Sequence, residues 1–161
     1  MAAPRQRNTR EENETIKQTG KAPEDWKEKP AKMRQKDVDA RWTKKNNATH
    51  YGYKNHVCVD VDHKMIRAWA VTDAAVHDSN VFEELIDEDN ASRDVWADSA
   101  YRSEKTMNVL EARGMRGHIQ RKGHRGRSLT EWEKQGNRTR ARVRARVEHV
   151  FGVMVMRAGG L

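Results

Sequence analysis

Cysteine and long apolar runs are nearly missing from this chain, and each scarcity excludes a class of protein. Cys58 is the one cysteine in 161 residues, which excludes an internal disulfide and is typical of a reducing compartment. No apolar run approaches the roughly 20 residues that cross a bilayer, and the segment after Met1 lacks the apolar stretch of a signal peptide. Apolar residues make up only 35% of the chain, little for a self-sufficient core. We therefore expect one soluble, cytoplasmic domain without a membrane partner.

Positive charge exceeds negative charge in this chain, above all in one segment that has few acids. The chain carries 32 Lys and Arg against 24 Asp and Glu, a formal net charge of +8. Between Arg113 and Arg146 lie twelve Lys or Arg and only Glu131 and Glu133, so this segment has a net charge of +10. Such a segment is either a solvated helix face or the contact surface for a polyanion, most often nucleic acid. Arginine predominates in it, which suits contacts to phosphate.

The hydrophobic periodicity predicts a mixed α/β or α+β domain. Residues 1–36 are polar and interrupted by Gly20, Pro23 and Pro30, which indicates an arm or insertion. We expect the main domain to span 37–156 and a tail to follow at 157–161. The predicted elements are a strand at 37–42, a hairpin at 51–72, a helix at 81–86, a strand at 94–98, a helix capped by Ser103, a strand at 115–120, a capping box at Thr130–Glu133 and a long helix after Gly136.

Two acids stand where metal-assisted chemistry is expected. Asp98 follows a short apolar strand, the usual place of a functional acid in an open α/β sheet, although a turn or helix-cap role has about equal weight. Glu148 lies four residues after Arg144 on one side of a predicted helix, and the alternative is a simple ion pair of these two side chains. Carboxylates from distant segments are the ligands with which Mg²⁺ or Mn²⁺ promote in-line displacement at phosphate.

Other chemistries find weaker support in the sequence. His63 and His77–Asp78 are conceivable zinc ligands, but a lone cysteine and scattered histidines give no zinc spacing. No glycine-rich nucleotide loop is present, and Ser99 lies in no nucleophile elbow. NTP-driven and serine-hydrolase functions are therefore disfavoured.

Four segments, in order, resemble bacterial insertion-sequence transposases of the DDE class, most closely the branch named after insertion sequence five. They are Thr49–His56 (THYGYKNH), Thr72–Ser79 (TDAAVHDS), Ala97–Arg102 (ADSAYR) and Arg144–Gly152 (RARVEHVFG). The resemblance runs from about Pro4 to Gly152. It implies a ribonuclease-H-like fold, two Mg²⁺ or Mn²⁺ ions on an Asp-Asp-Glu triad, and cleavage and strand transfer of transposon DNA.

The resemblance also assigns individual residues. It places the second acid of the triad at Asp98 and the glutamate at Glu148. The family signature Tyr-x2-Arg-x3-Glu-x6-Lys is matched by Arg144 and Glu148, whereas Ala141 and Val155 replace its tyrosine and lysine. The expected partners are double-stranded transposon-end and target DNA, and the expected location is the bacterial nucleoid. Candidate contacts to the DNA backbone are Arg138, Arg142, Arg144, Arg146, Lys122 and Arg125.

One expected part of the triad is missing. In the family, the first aspartate and its strand precede a segment like Ala3–Thr9, and only Met1 and Ala2 precede it here. We therefore expect an incomplete core with unpaired strand edges. Asp39 superficially resembles the missing acid, but its place before Arg41-Trp42 matches a later family segment. Three alternatives follow: a truncated transposase or half of one, completed by an upstream fragment or another copy; a non-catalytic DNA-binding remnant; or a poorly folded fragment.

Overall fold

The computed structural model describes residues 6–45, 47–87, 89 and 92–157, apart from the side chains of Met154 and Val155. Residues 158–161 of the expected tail lie outside this range. The side chain of Val155, which occupies the family's lysine position, also lies outside it. The helices and strands confirm a mixed α/β fold. They are α1 (Arg10–Thr19), α2 (Glu24–Lys27), α3 (Pro30–Gln35), β1 (Arg41–Lys45), β2 (Ala48–Val59), β3 (Ile66–Asp73), α4 (Phe82–Leu85), β4 (Asp94–Ala97), α5 (Glu104–Ala112), β5 (Arg116–Ile119) and α6 (Glu131–Arg157), with 3₁₀ turns at Asp78–Asn80 and Ser99–Tyr101.

Two compact units divide the chain. The first comprises residues 1–55 and 71–76, and the second comprises 56–70 and 77–161. In neither unit does a described helix combine the length and the apolar character that crossing a membrane requires. The residues of the candidate site in the second half of the chain all belong to the second unit.

The first unit is organised around the buried indole of Trp26. Thr9 and Glu12 form a capping box that starts α1, and this helix buries Ile16. The carboxylate of Glu12 accepts a hydrogen bond from Trp26 Nε1 at 3.0 Å and forms ion pairs with Lys32 and Lys36. The polar segment predicted as an arm or insertion therefore contains three helices that share contacts within this unit.

The start of β1 differs from the predicted strand at 37–42. The carboxylate of Asp37 accepts hydrogen bonds from the backbone N–H groups of Asp39 and Ala40, at 2.8 and 3.3 Å. An aspartate that binds the backbone ahead of it favours a turn over a strand. The strand therefore begins at Arg41 and continues to Lys45, beyond its predicted end at residue 42. It pairs antiparallel with β2, and the order of this sheet is β1-β2-β3.

Strands β4 and β5 of the second unit confirm their predicted positions. They pair in parallel, with Asp94 opposite Arg116 and Ala97 opposite Ile119, and α5 connects them. Ser103 caps α5, and Gly114 follows its end with a φ of +61°, as the sequence predicts. A core cluster lies under the sheet, formed by Phe82, Ala97, Leu110 and Ile119.

Helix α6 starts earlier than predicted. Thr130 Oγ1 accepts the N–H of Glu133 at 3.2 Å, and the Glu133 carboxylate accepts the N–H of Thr130 at 3.0 Å. This predicted capping box is confirmed, and the helix it starts passes through Gly136 without a break. The prediction of a start after Gly136 was wrong because a favourable cap outweighs the roughly 1 kcal/mol cost of an interior glycine. The predicted helix at 81–86 is also shorter, with α4 covering Phe82–Leu85.

Candidate metal and nucleic-acid site

Asp98 lies immediately after β4, and one of its two carboxylate oxygens accepts a hydrogen bond from the backbone. Oδ1 accepts a hydrogen bond from the N–H of Ala100 at 2.8 Å, so Asp98 caps the 3₁₀ turn Ser99–Tyr101. Among the described residues, Oδ2 has no hydrogen-bond partner. The capping role considered from the sequence is therefore present, and it leaves one oxygen of an oriented carboxylate free for a ligand.

A series of hydrogen bonds connects the end of β4 with Glu148. The N–H of Gln120 donates to the Ala97 carbonyl at 3.1 Å, which places Gln120 beside the residue before Asp98. Gln120 Oε1 accepts from Arg144 Nη1 at 3.4 Å, and Arg144 Nη2 donates to Glu148 Oε1 at 3.2 Å. The two side chains lie on the same side of the helix, as predicted, and form the ion pair that was considered as the alternative to a metal role. Because the Glu148 side chain is 68% exposed, this pair by itself contributes little to stability.

Tyr101 lies beside the predicted acid and was missed by the sequence reasoning. Its hydroxyl is 3.3 Å from Nδ1 of the buried His56, and its ring packs against Phe82 at 5.9 Å. Burial first, and then the negative charges of Asp78 and Asp98, raise the pKa of Tyr101 to about 12. A neutral phenol thus lies next to Asp98. The only sequence signal for it was its place in the ADSAYR segment.

The arginines and lysines predicted to contact DNA fall into two groups. Arg146 donates to the Val61 carbonyl and lies 3.8 Å from the Asp62 carboxylate, and Arg138 donates to Gln135 at 3.2 Å. These two and Arg144 therefore already have partners within the protein. The exposed members whose side chains form no hydrogen bond or ion pair with another described residue are Lys122, Arg125 and Arg142.

The loop before α6, residues 121–127, is held by one carboxylate. Glu133 pairs with Arg121 at 2.9 Å and with Arg127 at 3.2 Å. The Thr130 N–H and then Arg121 lower the pKa of Glu133 to about 2. Two backbone hydrogen bonds between His124 and Arg127, of 3.1 and 3.0 Å, close the turn inside this loop. The sequence predicted the capping box, but not this fixation of the loop by Glu133.

The described residues provide only some of the ligands that a divalent metal ion would need. Among residues 6–45, 47–87, 89 and 92–157, no group of three or more His, Cys, Asp or Glu side chains is arranged to hold a metal ion. The free Asp98 oxygen and the exposed Glu148 carboxylate are hard oxygen donors of the type that Mg²⁺ and Mn²⁺ prefer. His63 and His77 bind local partners instead, Asp60 at 3.1 Å and Ser79 at 2.7 Å.

Comparison with known proteins gives two findings. A family model described as "Transposase DDE domain" matches residues 15–160. A transposase for insertion sequence element IS1106 from Neisseria meningitidis serogroup B is 33% identical over 119 residues, which cover 74% of this chain and 41% of that protein. The chain thus spans about two-fifths of the length of this relative. No solved structure matches the chain.

Proposed function

Because this chain belongs to the transposase DDE-domain family, we propose that it supplies part of the catalytic core of a bacterial insertion-sequence transposase. The proposed reaction is metal-dependent cleavage of DNA phosphodiesters and strand transfer. The observation that supports this most is the hydrogen-bonded series Ala97–Gln120–Arg144–Glu148, which links the element ending in Asp98 to the element carrying Glu148.

Each side chain has a definite task in this proposal. Asp98 would hold a divalent cation through Oδ2, while its Oδ1 stays on the Ala100 N–H and fixes the carboxylate orientation. Glu148 would bind the same cation as Asp98, through the oxygen that Arg144 leaves free. Divalent ions bound there would polarise the phosphodiester and lower the pKa of the attacking hydroxyl or water. Arg144 would orient Glu148 and balance its charge.

We further propose that the core is a ribonuclease-H-like sheet whose remaining strand and first aspartate come from residues outside this chain. In the part of the chain that the structure describes, β4 pairs only with β5, and the β1-β2-β3 sheet is separate from this pair. An unpaired strand edge leaves backbone N–H and C=O groups available to another strand. A strand from outside this chain that pairs with the free edge of β4 would supply both the missing pairing and the third carboxylate.

Complementation tests this proposal. The chain would be combined with a segment of the full-length transposase that precedes it, and Mg²⁺-dependent nicking of transposon-end DNA would be measured. The proposal predicts that nicking appears on mixing and is lost in Asp98→Asn and Glu148→Gln. Glu104→Gln, an exposed acid at the start of α5, is the matched control and should leave nicking unchanged. Nicking that persists in Asp98→Asn would refute the assignment.

The second candidate function is DNA binding without catalysis. It is supported by Lys122, Arg125 and Arg142, whose exposed side chains have no partner among the described residues and lie in a segment of net charge +10. Salt-dependent binding of DNA by the folded chain, with no nicking in any mixture, would favour this candidate over the catalytic one.

A further inference from the structure

Trp132 is an exposed aromatic side chain in the middle of the basic segment. It lies in the first turn of α6, and 73% of its surface is exposed. The Arg121 guanidinium lies over the indole at 5.4 Å from the ring centroid, a cation–π distance. Since the residue as a whole stays so exposed, a large part of the aromatic surface is available to a flat ligand.

The surroundings of this indole are rigid. Arg121 and Arg127 are both tied to Glu133, which is only 6% exposed. At Gly123, an added Cβ would lie 3.2 Å from the Arg127 carbonyl oxygen, so the turn closes more tightly than most side chains allow. A ligand would therefore lose little free energy in ordering this surface on binding.

Two cations of the loop before α6 have side chains that are free to bind phosphate. The side chains of Lys122 and Arg125 are exposed and form no hydrogen bond or ion pair with another described residue, whereas Arg121 and Arg127 are held by Glu133. The loop and the first turn of α6 together therefore combine uncommitted positive charge with a stacking surface. This is the combination by which proteins hold unpaired nucleotides, the aromatic group contacting the base and the cations contacting the backbone.

We propose that Trp132 stacks on an unpaired base of the DNA while Lys122 and Arg125 hold the neighbouring phosphates. This rests on the proposed DNA binding and adds a preference for DNA with an unpaired nucleotide. Within a continuous duplex both faces of each internal base are covered by neighbouring bases, so away from the duplex ends only an extruded or single-stranded base offers a face to Trp132. The loss of one such stacking contact weakens binding by about tenfold or more.

The test compares two DNA probes with the whole 161-residue chain. One probe is a continuous duplex, and the other is the same duplex with a single-stranded overhang. Dissociation constants would be measured by fluorescence anisotropy for the wild type, Trp132→Ala and Trp132→Phe. Trp69→Ala is the matched control, since Trp69 is 72% exposed and lies in the same unit outside the basic segment.

The proposal predicts that the overhang probe binds more tightly than the duplex. Trp132→Ala should weaken overhang binding about tenfold and leave duplex binding unchanged, and Trp132→Phe should recover most of the affinity because it keeps a stacking ring. Trp69→Ala should change neither. Lys122→Gln with Arg125→Gln should weaken both probes and reduce the salt dependence by about two counterions.

Two results would overturn the proposal, and they are distinguishable. If the wild type binds both probes and Trp132→Ala changes neither affinity, or changes both equally, the stacking role is wrong while the proposed DNA binding stands. If the folded wild type, checked by circular dichroism, binds neither probe at low salt, the proposed DNA contact itself is wrong.

Discussion

Gly117 lies on β5, the strand that pairs with β4 before Asp98, and its packing gives a prediction about stability. The side chain of Leu110 decides whether a larger residue there stabilises or destabilises the fold. A Cβ added to Gly117 of β5 would lie 2.7 Å from Cδ1 of Leu110, closer than real side chains approach. Leu110 is 1% exposed in the core cluster, so its side chain has little room to withdraw. Overpacking of this kind costs about 1–3 kcal/mol. The loss of glycine flexibility in the unfolded chain offsets about 0.4–1 kcal/mol.

The cost of overpacking exceeds the gain from a less flexible unfolded chain, so Gly117→Ala should lower the free energy of unfolding by about 1–2 kcal/mol. Leu110→Ala alone should lower it by about 2–5 kcal/mol because it leaves a cavity. In the Leu110→Ala protein the clashing methyl group is gone, so adding Gly117→Ala should be neutral or stabilising by up to about 1 kcal/mol. The coupling between the two sites would then be about 1–3 kcal/mol.

Urea unfolding of the four proteins in this cycle measures the coupling. Gly152→Ala is the control, because Gly152 lies in α6 with nothing within 4 Å of an added Cβ. That substitution should raise stability by up to about 1 kcal/mol. Equal destabilisation by Gly117→Ala in the presence and absence of the Leu110 side chain would refute the reasoning, since the cost would then not come from this contact.

Three further predictions concern charged groups. The pKa of Glu133 is lowered to about 2, so its contribution to stability is complete above about pH 4.5 and should fade as the pH drops toward 2. In thermal melts, Glu133→Gln should therefore reduce the loss of stability at acid pH. An unchanged loss at acid pH would contradict the loop fixation. Burial chiefly raises the pKa of all three tyrosines, Tyr51, Tyr53 and Tyr101. Absorbance titration of the folded protein should therefore show a phenolate transition displaced above pH 10, stability should decline from pH 10 upward, and a normal transition in the folded state would be inconsistent with this burial. Arg146→Gln should lower the free energy of unfolding by about 1 kcal/mol through the lost hydrogen bond to Val61, and it should change DNA affinity little. A large loss of affinity with unchanged stability would instead assign Arg146 to DNA contact.

The elements that the sequence predicted best are those specified by short-range signals. Strand β4 is an apolar run that ends at an acid, and α5 is bounded by Ser103 and Gly114, so each is encoded within a few residues. The same holds for the capping box of Thr130 and Glu133. Errors arose where a side chain redirected the backbone, as Asp37 does before β1, or where a cap carried a helix through a glycine, as at Gly136.

Long-range contacts were beyond the reach of sequence patterns. Tyr101 meets His56 across 45 positions, and Arg146 meets Val61 across 85 positions. No periodicity or motif spacing specifies such pairs, because they depend on how the elements pack. For this reason Arg146 was predicted as a DNA contact on charge alone, whereas its guanidinium is already bound. The metal roles of Asp98 and Glu148 remain predictions from the family resemblance.

Manganese binding, followed by electron paramagnetic resonance, tests most directly whether Asp98 and Glu148 share one cation site. The wild type, Asp98→Asn, Glu148→Gln, the double variant and the control Glu104→Gln would be titrated with Mn²⁺. A shared site predicts that each single substitution weakens binding nearly as much as the double substitution, and that the control has no effect. Additive losses, or binding that survives in the double variant, would contradict a common metal site.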